Sequence, residues 1–185
     1  MLGLLLLLTI SCDDDGATPL ENAGLGGPPP PAMSYTDEDY ELVLSIHTVI
    51  GDKIRSKGWE TMAPEERHFS NVMAFFGKVE SGGFDGFYFD SEHLPTMIPQ
   101  LRESLLAVEA GPAEAILAES MNFFDGGVVP HDLDARVDMI REKPDNFEPF
   151  GDLEDRFYAE VESHYTLLAC YARRHPEVFQ RDEAN

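Results

Sequence analysis

The sequence predicts an all-α protein: one compact domain of six or seven helices with short connections, placed after an unstructured leader. Three observations carry this. Apolar residues recur with the period of a helix buried on one face, no stretch alternates with period two, and Gly or Pro stands where each periodic run ends. With 185 residues, 43% of them hydrophobic, the chain has material for one ordinary core and not for two. The domain is expected over residues 36–180, with residues 181–185 as a tail.

The leader divides in two. Residues 1–11 are apolar from Leu2 to Ile10 apart from Gly3 and Thr9, too short to span a bilayer but long enough for the hydrophobic part of a secretory signal. Ser11 and Cys12 follow. An apolar run, a small residue and a cysteine resemble a bacterial lipoprotein signal, which would make Cys12 the lipidated first residue of the mature chain and would anchor it to a membrane in the cell envelope. No Lys or Arg precedes the run, and the competing reading is a protein that starts at Met33 and stays in the cytoplasm. Residues 12–35 contain Asp13–Asp15, Gly24, Gly26, Gly27 and Pro28–Pro31, a composition that cannot bury apolar surface and predicts a tether.

Within the domain, a first helix is expected over Asp37–Lys57, with Asp37, Glu38 and Asp39 near its positive end, Leu42, Val43, Ile46, Ile50 and Ile54 inward, and Gly58 as its stop. Trp59 is expected to pack. A second begins at Pro64, buries Phe69, Val72, Met73, Phe76 and Val79, and ends at Gly82 and Gly83. Residues 81–90 then hold four aromatics and three glycines, predicting a tight turn and a short helix whose Phe84, Phe87 and Phe89 plug the core. Further helices are expected over 95–110, with Met97, Ile98, Leu101, Leu105 and Val108 inward, over 112–124, with Ile116, Leu117, Met121 and Phe124 inward, and over 132–143. A long one from Leu153 to His175 is ended by Pro176. Cys170, in an apolar run, is expected to be a buried thiol.

No catalytic residue, metal site or cofactor is predicted. The six histidines are scattered, and the Glu65/His68 spacing of a di-iron bundle lacks its second pair. A nucleophile elbow, a phosphate-binding glycine loop and a paired-cysteine zinc motif are absent. Close carboxylates such as Asp132 with Asp134 indicate a solvated face.

Several segments carry a resemblance. Glu66-Arg67-His68-Phe69, Glu80-Ser81-Gly82-Gly83-Phe84-Asp85-Gly86-Phe87-Tyr88-Phe89, Phe123-Phe124-Asp125-Gly126-Gly127, Leu153-Glu154-Asp155-Arg156-Phe157-Tyr158 and the run from Tyr171 to Phe179 together resemble the DNA-mimic protein family, over nearly all of residues 36–180. The resemblance implies a helical, acidic domain, and a partner whose DNA-binding face it occupies in place of DNA.

Charge bears on that implication directly. The 35 acidic and 13 basic side chains give a formal charge of -22, which argues against direct nucleic-acid binding and for a basic protein partner. Setting aside the acids before Met33 (Asp13, Asp14, Asp15, Glu21) leaves 31 acids against 13 bases, net -18. A globule of this size is roughly 40 Å across, and a duplex of that length carries about 20 to 25 phosphates. The expected partner-binding stripe is Asp145, Glu148, Asp152, Glu154, Asp155, Glu160 and Glu162, with Asp132, Asp134 and Asp138 beside it.

Lipid anchoring and a chromosomal partner exclude each other for one molecule. The leading expectation is a non-enzymatic, envelope-anchored acidic domain that docks a basic protein surface, for example as an immunity or inhibitor protein. The rivals are a cytoplasmic DNA mimic translated from Met33 and an envelope structural or enzymatic lipoprotein whose charge is incidental. A homo-oligomer is compatible with each.

Overall fold

Thr36 opens the first helix, α1 (Asp37–Lys57). Its hydroxyl accepts the Asp39 N–H at 3.1 Å, satisfying one of the donors that a helix start leaves unpaired. Tyr35, just before the cap, packs on Tyr40 with ring centroids 5.8 Å apart, a hydrophobic staple that fixes the angle at which the chain enters the helix. In this computed structural model residues 35–89, 94–142 and 150–179 are described. The expected signal and nearly all of the tether, with the candidate residues Cys12, Asp145 and Glu148, lie outside them.

After α1 come α2 (Pro64–Tyr88), α3 (Leu94–Ala107), α4 (Gly111–Ser120), α5 (Leu133–Arg141), α6 (Gly151–Glu160), α7 (His164–Arg174) and the single turn α8 (Pro176–Phe179), with no strand among the described residues. The chain is all-α, as predicted. α2 is its spine: α3, α7, α1 and α5 pack against it, α7 also lies along α1, and α4 joins α3 to α6.

The long helix expected from Leu153 to His175 is two helices. Val161 is extended at the end of α6, and the Ser163 hydroxyl restarts the chain by accepting the Tyr165 N–H at 3.3 Å. The run from Pro64 is continuous to Tyr88 except at Gly83, whose φ of 64° and ψ of -169° break the helix in the place where the glycine pair predicts a stop.

Val43, Ile46 and Ile50 of α1, Phe69, Val72, Phe75, Phe76 and Val79 of α2, Ile98, Leu101 and Leu105 of α3, and Ile116 and Leu117 of α4 are buried. Two inward assignments are corrected. Met97 is 47% exposed, because the buried stripe of α3 runs through Leu94, Ile98, Leu101 and Leu105 and leaves Met97 beside it. Cys170 is half-buried, since α7 turns Leu167, Leu168, Ala169 and Tyr171 to the core instead.

Buried polar groups lock the helix pairs. Ser104 donates to the Gln100 carbonyl at 2.7 Å, so its oxygen accepts from the Asn71 amide at 3.0 Å and from His68 Nδ1 at 3.1 Å. That arrangement places the proton of His68 on Nδ1 and ties α2 to α3. Glu66 accepts the Ala63 N–H at 2.7 Å and Lys53 at 2.5 Å, capping its own helix and fastening it to α1.

Candidate binding surface

The geometry begins at Gly83. The ψ there belongs to a region essentially reserved for glycine, and a Cβ at this position would overlap the Glu154 carboxylate. The Phe84 N–H at the kink donates to Glu154 Oε1 at 2.8 Å, and the Tyr158 hydroxyl donates to the Val79 carbonyl at 3.3 Å. Glu154 and Tyr158 are four residues apart on α6 and therefore share a face. One side of α6 thus serves both main-chain groups flanking the bend.

The rings behind that seam form one aromatic core. Phe75 meets Phe87 at 5.2 Å and Phe157 at 5.9 Å, and Phe84 meets Phe150 at 6.0 Å. Tyr88 meets Phe124 at 4.9 Å. Its hydroxyl, raised far above its usual pKa by burial, donates to Ser120, which itself donates to the Leu117 carbonyl at 2.8 Å. Phe84, Phe87 and Tyr88 are buried and Phe89 half-buried, in keeping with the core role expected for this segment. Residues as far apart in the sequence as Phe75 and Phe157 therefore meet in one packed cluster.

The bases are engaged internally. Arg136 is fully buried, with Nε donating to the Tyr88 carbonyl at 3.1 Å and Nη1 to the Pro130 carbonyl at 2.7 Å, and it holds α5 on the end of α2. Arg102 pairs with Glu114 at 2.5 Å between α3 and α4, and Arg156 with Glu119 at 2.7 Å between α6 and α4. Arg173 reaches Asp39 at 2.7 Å, joining α7 to α1, and Arg174 reaches Glu109 at 2.8 Å. Lys53 and Arg67, the latter through the Glu60 carbonyl at 3.2 Å, likewise join one helix to another segment. Among all these contacts, the exposed pairs Arg156–Glu119 and Arg174–Glu109 contribute little stability. The consequence falls on the surface, where Asp134, Asp138, Asp152 and Asp155 stand exposed.

Of the expected stripe, Asp134, Asp138, Asp152 and Asp155 are exposed. Asp132 is exposed as well, and caps α5 by accepting the Ala135 N–H at 2.7 Å. Glu160 is exposed and lies 3.5 Å from Arg156. Glu154 is corrected: its carboxylate turns inward and accepts the Phe84 N–H at the kink of α2, where the non-helical Gly83 interrupts the helix. Glu162 is exposed in the break between α6 and α7, where partial desolvation together with the Asp39 carboxylate raises its pKa. The acids thus occupy α5, supported by α2, and α6, supported by α4, with Glu162 at a separate corner beside α1.

That corner holds a feature the sequence did not disclose. Tyr165 of α7 packs against Tyr35 at 4.8 Å and Tyr40 at 4.9 Å. Tyr35 falls in the expected tether and Tyr165 inside the expected long helix, so no periodicity connects them.

Among the described residues no group of three or more His, Cys, Asp and Glu is placed to hold a metal ion. A groove floored by Phe75, Phe87 and Leu101 and rimmed by Lys78 and Met97 encloses about 60 Å³. Among the described residues no helix is long and apolar enough to cross a membrane.

Comparison with curated proteins and with solved structures gives no match. A family model described as DMP19-like protein matches residues 60–175, a span that contains Gly83, Phe84, Phe124, Glu154 and Phe157, the residues that build the seam and the aromatic core. On that match, which takes in more than half of its length, the chain belongs to the DMP19-like protein family.

Proposed function

We propose that this protein is a non-enzymatic acidic binding domain that docks the basic surface of another protein. The observation that carries the reading is the division of charge. Arg102, Arg136, Arg156, Arg173, Arg174 and Lys53 are drawn into contacts between segments, while Asp134, Asp138, Asp152 and Asp155 stand outward on rigid helices. Such a surface accelerates encounter with a basic partner and repels nucleic acid.

Family membership favours a more specific version, in which the partner's basic surface is one that otherwise contacts DNA. Placement in the cell decides between them. A lipid on Cys12 would hold the domain in the envelope, where the partner is a basic protein such as a toxin that an immunity protein neutralises. Synthesis from Met33 would leave it beside the chromosome, where a DNA-binding protein is within reach. Metabolic labelling with a fatty acid separates the two: labelling that disappears in Cys12→Ala supports the anchored form, and its absence from the wild type rejects it.

The docking itself is tested by capture of a basic protein on the full chain, compared with a variant carrying Asn at positions 132, 134, 138, 152 and 155. Capture that weakens with salt and with these substitutions supports the proposal. Capture indifferent to both refutes it.

A further inference from the structure

At the junction of α1 and α7 three tyrosine rings meet, Tyr35 stacked on Tyr40 and Tyr165 tilted against both, with Tyr35 36% exposed and Tyr40 and Tyr165 half-buried. The staple between Tyr35 and Tyr40 requires only two apolar side chains. What distinguishes this patch is its surroundings. Glu38, 87% exposed, and Asp39 lie at the start of α1. Glu80 acts on the phenol of Tyr165, raising its pKa along with burial, which is the larger cause. Partial desolvation and, after it, the neighbouring Asp39 carboxylate raise the pKa of Glu162.

Arg173 and His164 face this group. Arg173 pairs with Asp39 at 2.7 Å and approaches Glu38 at 3.7 Å. His164 lies with Nδ1 3.0 Å from Glu80 Oε1, out of line for a hydrogen bond, and its ring stacks on Tyr165 at 4.0 Å. The π faces of tyrosines at the surface and carboxylates crowded beside one another are both complementary to a cation, and they are independent features of the same place.

We infer that the Tyr35–Tyr40–Tyr165 patch receives an arginine side chain of the basic partner, the guanidinium lying on a tyrosine face and pairing with Glu80 or Glu162. Arginine fits better than lysine because its plane stacks on a ring while its edge donates to a carboxylate. Tyrosine is also well suited to carry binding energy, being rigid, amphipathic and frequent at interface hot spots. This inference rests on the proposed docking of a basic protein, and moves the centre of contact from the outer faces of α5 and α6 to the corner of α1 and α7.

The test uses the full chain and two dye-labelled peptides, one of six arginines and one of six lysines, titrated by fluorescence anisotropy at low salt. The wild type is expected to bind the arginine peptide about threefold tighter than the lysine peptide. Tyr35→Leu combined with Tyr165→Leu, which leaves charge and apolar packing in place, is expected to weaken arginine binding by about fivefold and to abolish the preference. Glu162→Gln should weaken it more than Asp134→Asn, an equal change of charge elsewhere. A thermal melt accompanies each variant, and Tyr35→Leu alone carries the test if Tyr165→Leu lowers folding.

Equal affinity for both peptides, or unchanged binding by the leucine variants, overturns the patch while leaving the acidic surface in place as a docking face. Failure of the wild type to bind either peptide overturns the patch and the proposed docking together.

Discussion

Where α6 meets the kink of α2, the residues within the family match have internal tasks. Gly83 bends the chain, Glu154 receives the Phe84 N–H, and Phe157 fills the space beneath. On the outer faces of α5 and α6, inside the same match, Asp134, Asp138, Asp152 and Asp155 point to solvent. The first region cannot change without disturbing the fold, whereas the second can change freely. Family membership is therefore an argument about the seam, and function has to be argued from the surface.

The comparison breaks first at the seam. Phe157→Ala removes a fully buried ring that contacts Phe75, Phe76 and Phe84, and is expected to lower unfolding stability by about 3–5 kcal/mol in a urea titration. Gly83→Ala meets both an unfavourable backbone and the Glu154 carboxylate, with an expected cost of about 2–3 kcal/mol. Combined with Glu154→Ala, which opens the space, it should cost less than the sum of the two single changes. Additive costs would show that the glycine and the carboxylate act separately.

Glu154→Gln keeps an acceptor for the Phe84 N–H but removes its charge, so a smaller loss of about 1–2 kcal/mol is expected. An exposed stripe residue would instead show a change within about 0.5 kcal/mol. This one substitution asks whether residue 154 belongs to the seam or to the surface.

The smallest expected effect concerns Glu162, whose pKa is raised in the folded state by burial and by Asp39. The folded chain holds this proton at a pH where the unfolded chain has released it. Protonation therefore favours folding, and that contribution declines as pH rises from the ordinary carboxylate value through the raised folded value. Urea midpoints measured between about pH 4 and 7 should fall less steeply in Glu162→Gln than in the wild type. An unchanged slope would remove the like-charge contact from the account.

The helices were legible because periodicity and caps are local. Asp37, Gly58, Pro64 and the Gly82–Gly83 pair act within a turn of themselves. The break between α6 and α7 was not, because Val161-Glu162-Ser163 contains neither Gly nor Pro, and Ser163 is the sole local signal. Glu154 reads as a surface acid in the sequence, and its partner is a main-chain N–H 70 residues earlier, a pairing no spacing announces. Arg136 likewise counts as one base among acids, until burial and the Tyr88 and Pro130 carbonyls reveal it as a fastener for α5. Long-range partners decide which charges remain outside, and they emerge only with the fold.

The central claim is that the outward carboxylates bind while the inward ones hold the structure. Its most direct test is the salt dependence of affinity for the captured basic partner, measured with the full chain and with the variant carrying Asn at positions 132, 134, 138, 152 and 155. A weaker affinity and a shallower decline with salt are expected in the variant, at an unchanged unfolding midpoint. The same affinity and the same salt slope in both proteins would contradict it.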